Sequence, residues 1–400
     1  MSTKSIAELG VAHFKGLSVK EKGAHGNYVL VPSGAVFPEQ IKFDRCKRFT
    51  DDAAKLAKKF LQANDVLFNS GGVGTLGRSH HIAEIEPKIY VPDSFVLVLR
   101  TNGEQLLSKY LYYYLQSPVA QQLIRDNTRG TIGITSIKPE AVLGFPISCP
   151  SLAEQQRIVR LLDEAFEGIA IAKANAEKNL QNAHELFESH LNSVFTNNVD
   201  EWNSNPLGEL TDPNTPITYG VVKPGDEGEI TFIRGGDLVG GKVRLDQLRT
   251  ISRAVSNQYS RTLLRGGELL ICLVGQPGQV AVAPKELAGA NIARQVGLIR
   301  LKEGIDADFA KYFLQSAPGV QALGARESGS VQQVINLSEL KLVSLVHPDL
   351  AQQRKVVARL TTIESEVNSL ANLYAQKRLQ WEALKQSLLH QAFSGRLKTA

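Results

Sequence analysis

The chain of 400 residues contains few of the residues that mark disulfide-stabilised, metal-binding or membrane proteins. Its three cysteines, Cys46, Cys149 and Cys272, lie too far apart for a CxxC metal knuckle, and their odd number argues against a disulfide framework. We therefore expect buried, reduced thiols. No apolar run approaches the ~20 residues that span a bilayer, and the first residues lack the apolar core of a signal peptide. These absences predict a cytoplasmic protein.

Sequence motifs of cofactor-dependent enzymes are also missing. Asn205-Pro206-Leu207 lacks the second proline and the aromatic residue that an adenine amino-methyltransferase needs. The segment 236–243 approximates a phosphate-binding loop, but Val243 occupies the place of the metal-binding hydroxyl. The pair His80-His81 belongs to no HExxH or similar metal spacing. By elimination, the sequence indicates a binding protein that holds no cofactor or metal of its own, and not an enzyme.

The second half of the chain repeats the first half. The segment YYLQS at 113–117 recurs as YFLQS at 312–316, and PSLAEQQR at 150–157 recurs as PDLAQQR at 348–354. The copies are offset by roughly 198 residues, far more than the period of about 20 to 50 residues in solenoids. A chain duplicated once approximates a dimer within one polypeptide. It predicts a pseudo-twofold axis and a ligand or partner of similar symmetry.

Two proline-free segments, 151–198 and 349–400, predict long helices. In the second, apolar residues from Val356 through Leu360 and Ile363 to Leu388 follow steps of four and three, a heptad pattern. About 40 residues make a helix of ~60 Å, and one apolar stripe requires a partner. An intramolecular antiparallel coiled coil satisfies both copies at once. The alternative is that each helix packs on its own globular domain.

The remaining segments mix short apolar runs with turn residues. The runs 65–68, 91–99, 268–273 and 296–301 predict strands, and 106–116 and 307–315 carry helical spacing. We therefore predict an α+β protein with a curved sheet in each of two globular domains. The predicted boundaries are 1–150 for the first domain, 151–198 for a central long helix, 199–348 for the second domain and 349–400 for a C-terminal long helix.

Basic residues cluster in both globular domains, although the net charge of the chain is only +5. Basic domains joined by a less basic helical rod suit a DNA clamp, because phosphate contacts supply affinity. A single arginine is more typical of a solvated surface than of a contact with a base, so the clustering carries the prediction. The predicted DNA-binding residues are Lys47, Arg48, Gly74, Thr75, Arg78, His80, Arg129, Tyr219, Arg234, Lys242, Gln276, Arg294 and Arg326.

Glycine-rich loops follow matched strands in the two domains, at 70–78 and 274–279. Glycine lets a backbone approach a ligand closely. Arg78 and Gln276 have the side-chain chemistry to read the edges of guanine and adenine, respectively. Tight strand-to-strand turns are the alternative use of the same glycines.

The motif P-x-L-A-(E)-Q-Q-R, present twice before a long helix, resembles the specificity subunit of type I restriction-modification systems. The terminal segment 388–397, with Ala392-Phe393-Ser394-Gly395, and the stretch 219–270 resemble the same family. The resemblance covers nearly the whole chain. It implies partner-binding residues within the repeated motifs, namely Gln155, Arg157, Gln353, Arg354 and Phe393.

The resemblance also implies a function. Each globular domain would read one half of a split DNA target in the major groove, and the helices would fix the spacer between the half-sites. Two methyltransferase subunits would dock on the helices and modify flipped adenines with S-adenosylmethionine, which this chain does not hold. Motor and nuclease subunits would join that core. Since the two domains differ outside the shared motifs, we expect unlike half-sites and a non-palindromic target.

Two other functions fit parts of the sequence. A coiled-coil scaffold that binds only proteins predicts no salt-sensitive affinity for DNA. A compact DNA-modifying enzyme with divergent motifs predicts methyl transfer by the purified chain alone. Neither explains why the basic domains and the helices are duplicated in register, so DNA recognition is the favoured interpretation.

Overall fold

The computed structural model describes residues 3–130, 135–197, 201–324 and 334–397. The chain divides into two compact units. The first unit comprises Met1–Asn175 and Ala375–Ala400, and the second comprises Ala176–Tyr374. The division falls within both long helices, so each unit contains a segment of each helix. Among the described residues, no helix has the length and apolarity to cross a bilayer.

The first unit is built on a four-stranded antiparallel sheet in the order β2-β8-β5-β6. A three-stranded sheet, β4-β3-β7, contains the parallel pair β3 and β7, and β1 pairs with β9. The strands are β1 (Thr3–Ser5), β2 (Ala12–Lys15), β3 (Tyr28–Val31), β4 (Lys47–Phe49), β5 (Asp65–Asn69), β6 (Ser79–His81), β7 (Tyr90–Pro92), β8 (Val96–Arg100) and β9 (Pro146–Ser148). The helices are α1 (Ala53–Leu56), α2 (Ser108–Gln116), α3 (Pro118–Asn127), α4 (Pro139–Leu143) and the long α5 (Leu152–Thr196).

Strand β5 is buried on both faces, which explains its continuous apolar run. Val66 and Phe68 pack in one cluster with Tyr110 of α2. Leu67 points to the opposite face and packs with Val31 and other residues of the three-stranded sheet. Because successive side chains of a strand alternate between its faces, a sheet covered on both sides needs apolar residues at every position.

The predicted strand 91–99 is two strands, β7 and β8, in the structure. A turn separates them. The Asp93 carboxylate accepts hydrogen bonds from the backbone N–H groups of Phe95, at 2.9 Å, and Ser33, at 3.2 Å. Apolar periodicity alone does not reveal a turn of this kind, because it depends on an aspartate that bonds its own backbone two residues later.

The second unit repeats the first nearly element by element. Its sheets are β11-β19-β16-β17 and β15-β12-β18, with the additional pairs β13-β14 and β10-β20. The strands are β10 (Asn203–Pro206), β11 (Thr218–Tyr219), β12 (Ile230–Ile233), β13 (Leu238–Val239), β14 (Lys242–Val243), β15 (Arg249–Ile251), β16 (Leu269–Cys272), β17 (Val280–Val282), β18 (Asn291–Ile292), β19 (Val296–Ile299) and β20 (Ser344–His347). The helices are α6 (Leu207–Leu210), α7 (Arg253–Gln258), α8 (Ala307–Gln315), α9 (Ala317–Ala322), α10 (Leu337–Leu342) and the long α11 (Leu350–Phe393). The α+β fold and the internal repeat predicted from the sequence are confirmed.

One glycine in each unit shows how closely the repeat is preserved. A Cβ atom on Gly16 would lie 2.0 Å from the backbone oxygen of Pro92, and one on Gly220 would lie 1.8 Å from that of Ile292. Both glycines precede a residue in a parallel bridge, Leu17 and Val221. The close approach of two backbones excludes any side chain at these positions.

The long helices pair in antiparallel fashion within each unit. In the first unit, Leu162 of α5 and Leu389 of α11 share the core cluster of α2, and Lys173 forms an ion pair with Glu382. In the second unit, Leu191 and Leu360 share a core cluster. Successive residues of α5 therefore contact residues of α11 in the reverse order, as in an antiparallel pair. The predicted pairing of the two helices is confirmed, and each helix also packs on globular parts of the units. The domain boundaries stay a prediction.

The three cysteines are free. Cys272 is buried as expected, whereas Cys46 and Cys149 are half-buried. Burial, together with the charge of the nearby Asp44, raises the pKa of the Cys46 thiol to about 11. A thiol with such a pKa is a poor nucleophile at neutral pH.

Candidate nucleic-acid interface

One end of the four-stranded sheet in the first unit gathers four loop segments. Just after β5 ends, the N–H of Ser70 donates to the carbonyl of Phe95, at 2.8 Å, and the Ser70 carbonyl accepts from the N–H of Ile137, at 2.9 Å. The side-chain amide of Asn69 donates to the carbonyl of Ser33, at 2.9 Å. The glycine-rich loop 70–78 is therefore bonded to the segments near residues 33, 95 and 136.

Backbone conformation explains the glycines of this loop. Gly72, Gly74 and Gly77 have φ angles of +108°, +70° and +81°, a region that residues with a Cβ rarely adopt. Thr75 fastens the turn, because its hydroxyl donates to the Gly71 carbonyl at 3.3 Å. The loop is a defined turn that ends at Arg78. Both interpretations of the glycines, a tight turn and a close approach to a ligand, fit this geometry.

Arg78 is held in place by its own loop. Its guanidinium donates to the Gly74 carbonyl at 2.7 Å and lies over the Phe37 ring, 4.8 Å from the ring centroid. Arg129 joins the same end of the sheet, since its backbone forms two hydrogen bonds with Ser136, of 2.9 and 3.0 Å. The Arg129 side chain is exposed. Two of the predicted DNA-binding cations thus share one loop cluster with Gly74 and Thr75.

The other predicted residues of the first unit lie elsewhere. Lys47 and Arg48 are exposed on β4, an outer strand of the three-stranded sheet, and the Arg48 guanidinium donates to the Gly26 carbonyl at 3.1 Å. His80 lies on β6, and its Nδ1 is 3.0 Å from the carbonyl oxygen of Pro38. Burial lowers the pKa of His80, which favours a neutral ring at neutral pH.

The second unit gathers equivalent segments at the corresponding end of its sheet. The N–H of Leu273 donates to the Gln295 carbonyl at 2.7 Å, and the Leu273 carbonyl accepts from the N–H of Ile335 at 2.9 Å. The N–H of Arg294 donates to the Val221 carbonyl at 2.9 Å. Three predicted DNA-binding residues, Tyr219, Gln276 and Arg294, are exposed in these segments.

Arg234 forms an ion pair within its own unit. Its Nε and Nη2 donate to the two carboxylate oxygens of Asp237, at 3.2 and 2.9 Å, and Asp237 is only 1% exposed. The bonds to Asp237 raise the pKa of Arg234. Lys242 is exposed on β14 and lines a surface cavity with Lys311 and Glu364. The last predicted residue, Arg326, lies outside the described residues.

The glutamine of the repeated motif has an internal role that the sequence analysis missed. Gln155 is fully buried: its Oε1 accepts from the N–H of Leu107 at 2.9 Å, and its Nε2 donates to the carbonyls of Gln105 and Pro150, at 2.8 and 3.0 Å. It joins the start of α5 to the loop before α2. A signal was available, because Gln155 recurs as Gln353 in the same register of the repeated motif.

Gln353 repeats this arrangement at the start of α11. It accepts from the N–H of Asp306 at 2.9 Å and donates to the carbonyls of Gly304 and Pro348, at 3.0 and 2.9 Å. Arg354, next to it, is exposed. The role of both glutamines in partner binding stays a prediction, and the structure shows their side chains turned inward.

The remaining predicted partner-binding residues lie at the surface or near it. Arg157 forms an ion pair with Glu154 at 2.5 Å, and both side chains are about three-tenths exposed. The Phe393 ring is half-buried against Tyr110 and Tyr114, with centroid distances of 4.9 and 5.6 Å. Their contacts with partners also stay predictions. Among the described residues, no group of three or more His, Cys, Asp and Glu side chains could hold a metal ion.

His81 provides a pH-dependent contribution to stability. Its Nε2 lies 3.0 Å from the Ser108 hydroxyl, and burial, followed by the charge of Lys109, lowers the pKa of the ring to about 4. The unfolded chain binds a proton near pH 6.5. The contribution of His81 to the unfolding free energy is therefore complete above pH 6.5. As the pH falls toward 4, the unfolding free energy should decrease by about 1–2 kcal/mol, a value that allows for the partial exposure of the ring. Thermal melting of the full chain between pH 7.5 and 4.5 measures this loss.

A histidine-to-glutamine variant isolates the effect. In His81→Gln, the melting temperature should fall less as the pH is lowered. The control His25→Gln, at an exposed site, should keep the wild-type dependence of melting temperature on pH. An unchanged profile in His81→Gln would assign the acid sensitivity to other groups.

Comparisons with known proteins relate this chain to DNA specificity subunits. Residues 7–182 match the family model of the type I restriction modification DNA specificity domain. The EcoBI specificity subunit of Escherichia coli is 25% identical over 311 residues, which cover 72% of this chain and 65% of that protein. The MjaVIII specificity subunit of Methanocaldococcus jannaschii is 22% identical over 86% of this chain and 83% of that protein.

The chain is thus similar to specificity subunits of type I restriction-modification systems. Two solved structures share its fold. A chain from a study of complex assembly and conformational transition of the type I R-M system has a TM-score of 0.70 and 18% identity, over 97% of this chain and 98% of that chain. The HsdS subunit from Thermoanaerobacter tengcongensis has a TM-score of 0.55 and 19% identity, over 97% of each chain. The loop clusters of the two units are the candidate nucleic-acid interface.

Proposed function

We propose that this chain is the specificity subunit of a type I restriction-modification system, that it binds double-stranded DNA and that each globular part reads one half of a bipartite, asymmetric site. The observation that carries the proposal is the repeated loop cluster. Equivalent sheet ends present Thr75, Arg78 and Arg129 in the first unit and Gln276 and Arg294 in the second. Equal frameworks with unlike side chains suit unlike half-sites.

The chemistry of these side chains supports readout of base edges. Arginine donates two hydrogen bonds to guanine, and glutamine pairs in the same way with adenine. Exposed cations outside the clusters, such as Lys47 and Arg48, would contact phosphates, which supply affinity and register without sequence information. The chain thus contributes recognition, and we assign it no catalytic step.

The long helices complete the proposal. We propose that α5 and α11 fix the spacer between the half-sites and bind two methyltransferase subunits, with motor and nuclease subunits joining that core. The partner subunits would hold S-adenosylmethionine and modify an adenine that is flipped out of the duplex. This division of labour is supported by the duplication of the motif that begins each helix, at Gln155 and Gln353.

A methylome tests the proposal directly. The chain is co-expressed with the methyltransferase subunit encoded beside it in a host that lacks DNA methylation, and N6-methyladenine is mapped by long-read sequencing. We expect one bipartite motif with a fixed spacer. Exchange of residues 201–348 for those of a relative should change one half of that motif and leave the other half intact. A stable complex that methylates no motif would contradict DNA recognition and favour a protein-binding scaffold.

A further inference from the structure

The hairpin that follows the first strand of each three-stranded sheet occurs in both units. In the first unit, a 3-10 turn at Ser33–Ala35 leads into a bridge between Val36 and Ile41. In the second unit, a 3-10 turn at Gly235–Asp237 leads into the pairing of β13 with β14. Each turn begins two residues after the preceding strand ends. The paired residues that close each hairpin, Val36 with Ile41 and Leu238 with Val243, are separated by the same number of residues.

Backbone hydrogen bonds establish which residues correspond. The N–H of Lys42 donates to the Ala35 carbonyl at 2.9 Å, and the N–H of Arg244 donates to the Asp237 carbonyl at 2.8 Å. Lys42 therefore corresponds to Arg244, and Ala35 corresponds to Asp237. By the same register Phe37 corresponds to Val239, so the first hairpin carries an aromatic ring where the second carries an aliphatic side chain.

Three cations surround the Phe37 ring. The Lys42 ammonium lies 4.8 Å from the ring centroid, the Arg45 guanidinium 5.2 Å and the Arg78 guanidinium 4.8 Å. Arg45 also donates to the Gly34 carbonyl at 3.2 Å. The electron-rich ring face attracts cations, so Phe37 holds together three like charges that would otherwise repel one another.

These cations have no ion-pair partner among the residues that the structure describes, while their counterpart in the second unit has two. The acidic Glu39 in the first hairpin pairs instead with Lys385, at 3.2 Å. In the second unit, Arg244 pairs with Asp237, at 3.9 Å, and with Asp246, at 3.7 Å. The buried Asp237 carboxylate stands where Ala35 offers only a methyl group.

We propose that Lys42 and Arg45, held on the Phe37 ring beside Arg78, form a binding site for a backbone phosphate of DNA, and that Arg244, the equivalent of Lys42 in the second unit, is already neutralised by its carboxylate partners. The inference rests on the proposed function and deepens it. Clustered cations without counterions create a local positive potential, and each guanidinium keeps free N–H groups that match the oxygens of a phosphate. The first unit thus binds the DNA backbone at this hairpin, without regard to sequence, where the equivalent Arg244 of the second unit does not.

The salt dependence of DNA binding tests this site. The full chain, purified with its methyltransferase partner, is titrated with duplexes that contain or lack the methylated motif, over a range of salt concentrations. Loss of one phosphate contact reduces the slope of log K against log salt by about 0.9. Lys42→Gln and Arg45→Gln should each show this reduction on both duplexes, while the methylated motif stays the same.

The repeat supplies a matched control. Arg244→Gln removes a cation at the position equivalent to Lys42, but that cation is already paired, so its slope should stay near the wild-type value. Phe37→Leu should weaken binding to both duplexes, whereas Phe43→Leu, whose ring packs on Tyr90 with a centroid distance of 5.2 Å, should not. Thermal melting checks that each variant is folded.

The outcomes separate the two proposals. Equal slopes for Lys42→Gln, Arg45→Gln and Arg244→Gln, in a complex that still methylates its motif, would overturn the phosphate site and leave DNA recognition intact. A wild-type complex that neither binds nor methylates DNA would overturn both.

Discussion

Arg100→Met should lower the unfolding free energy of the first unit by about 3–5 kcal/mol, because it leaves a buried charge without its partner. Asp65 is fully buried, and the Arg100 guanidinium donates to both of its carboxylate oxygens, at 2.6 and 2.8 Å. Arg100 also donates to the Phe60 carbonyl at 3.2 Å. Calorimetric melting of the full chain, together with hydrogen exchange of β5 and β8, measures the loss and locates it.

Two variants test the assigned cause. Adding Asp65→Leu to Arg100→Met should restore much of the stability, since it removes the unpaired carboxylate. Arg125→Met, on the exposed surface of α3, should change stability little. A double variant no more stable than Arg100→Met would mean that the arginine acts through packing and not through charge.

The second unit repeats this pair with different spacing. The Arg300 guanidinium donates to Glu268 at 3.4 Å, and Glu268, only 5% exposed, also accepts from the N–H groups of Arg265 and Gly266, at 2.7 and 2.8 Å. Glu268 therefore keeps two hydrogen bonds without the arginine, whereas Asp65 keeps one, from the N–H of Gln62 at 2.9 Å. The pair in the first unit is accordingly the more sensitive one.

Gln353→Leu should destabilise the start of α11 by about 3 kcal/mol. Leucine fills the space but leaves the N–H of Asp306 and the carbonyls of Gly304 and Pro348 without their partner, and each unsatisfied buried group costs about 1–3 kcal/mol. Some of these groups would form hydrogen bonds with water after local opening, which limits the total loss of stability. Faster hydrogen exchange at residues 304–307 and at the first turn of α11 measures the effect.

The neighbouring residue provides the control for this prediction. Gln352→Leu replaces an exposed glutamine in the same helical turn and should leave the exchange of residues 304–307 unchanged. Similar acceleration in both variants would show that the turn responds to any apolar substitution, and the buried hydrogen bonds would lose their assigned role.

Local periodicity was sufficient to predict much of the fold. The predicted helices 106–116 and 307–315 correspond to α2 at Ser108–Gln116 and α8 at Ala307–Gln315, and the predicted strand 65–68 corresponds to β5 at Asp65–Asn69. The spacing of apolar residues reports which face of an element is buried, so it can be read without knowing the neighbours. The split of segment 91–99 into two strands escaped this reasoning, because a side-chain hydrogen bond of Asp93 produces the turn.

The candidate interface was predictable in part. The glycine-rich loops 70–78 and 274–279 do lie at equivalent sheet ends, whereas the DNA-binding role of the basic clusters and of these loops stays a prediction. The sequence could not distinguish Arg78, which lies over Phe37, from Arg234, which a buried Asp237 neutralises. Both are arginines beside glycines, and only their surroundings differ.

The sequence by itself determined the duplication, the two long helices and the α+β class, because repeats, heptads and apolar periodicity are properties of residue order. Only the tertiary structure decided which cations remain unpaired, and that Gln155 and Gln353 face inward. The physical reason is that an ion pair or a buried hydrogen bond depends on distances of a few ångströms. Those distances join residues such as Phe37 and Arg78, or Asp306 and Gln353, whose separation along the chain has no simple relation to their separation in space.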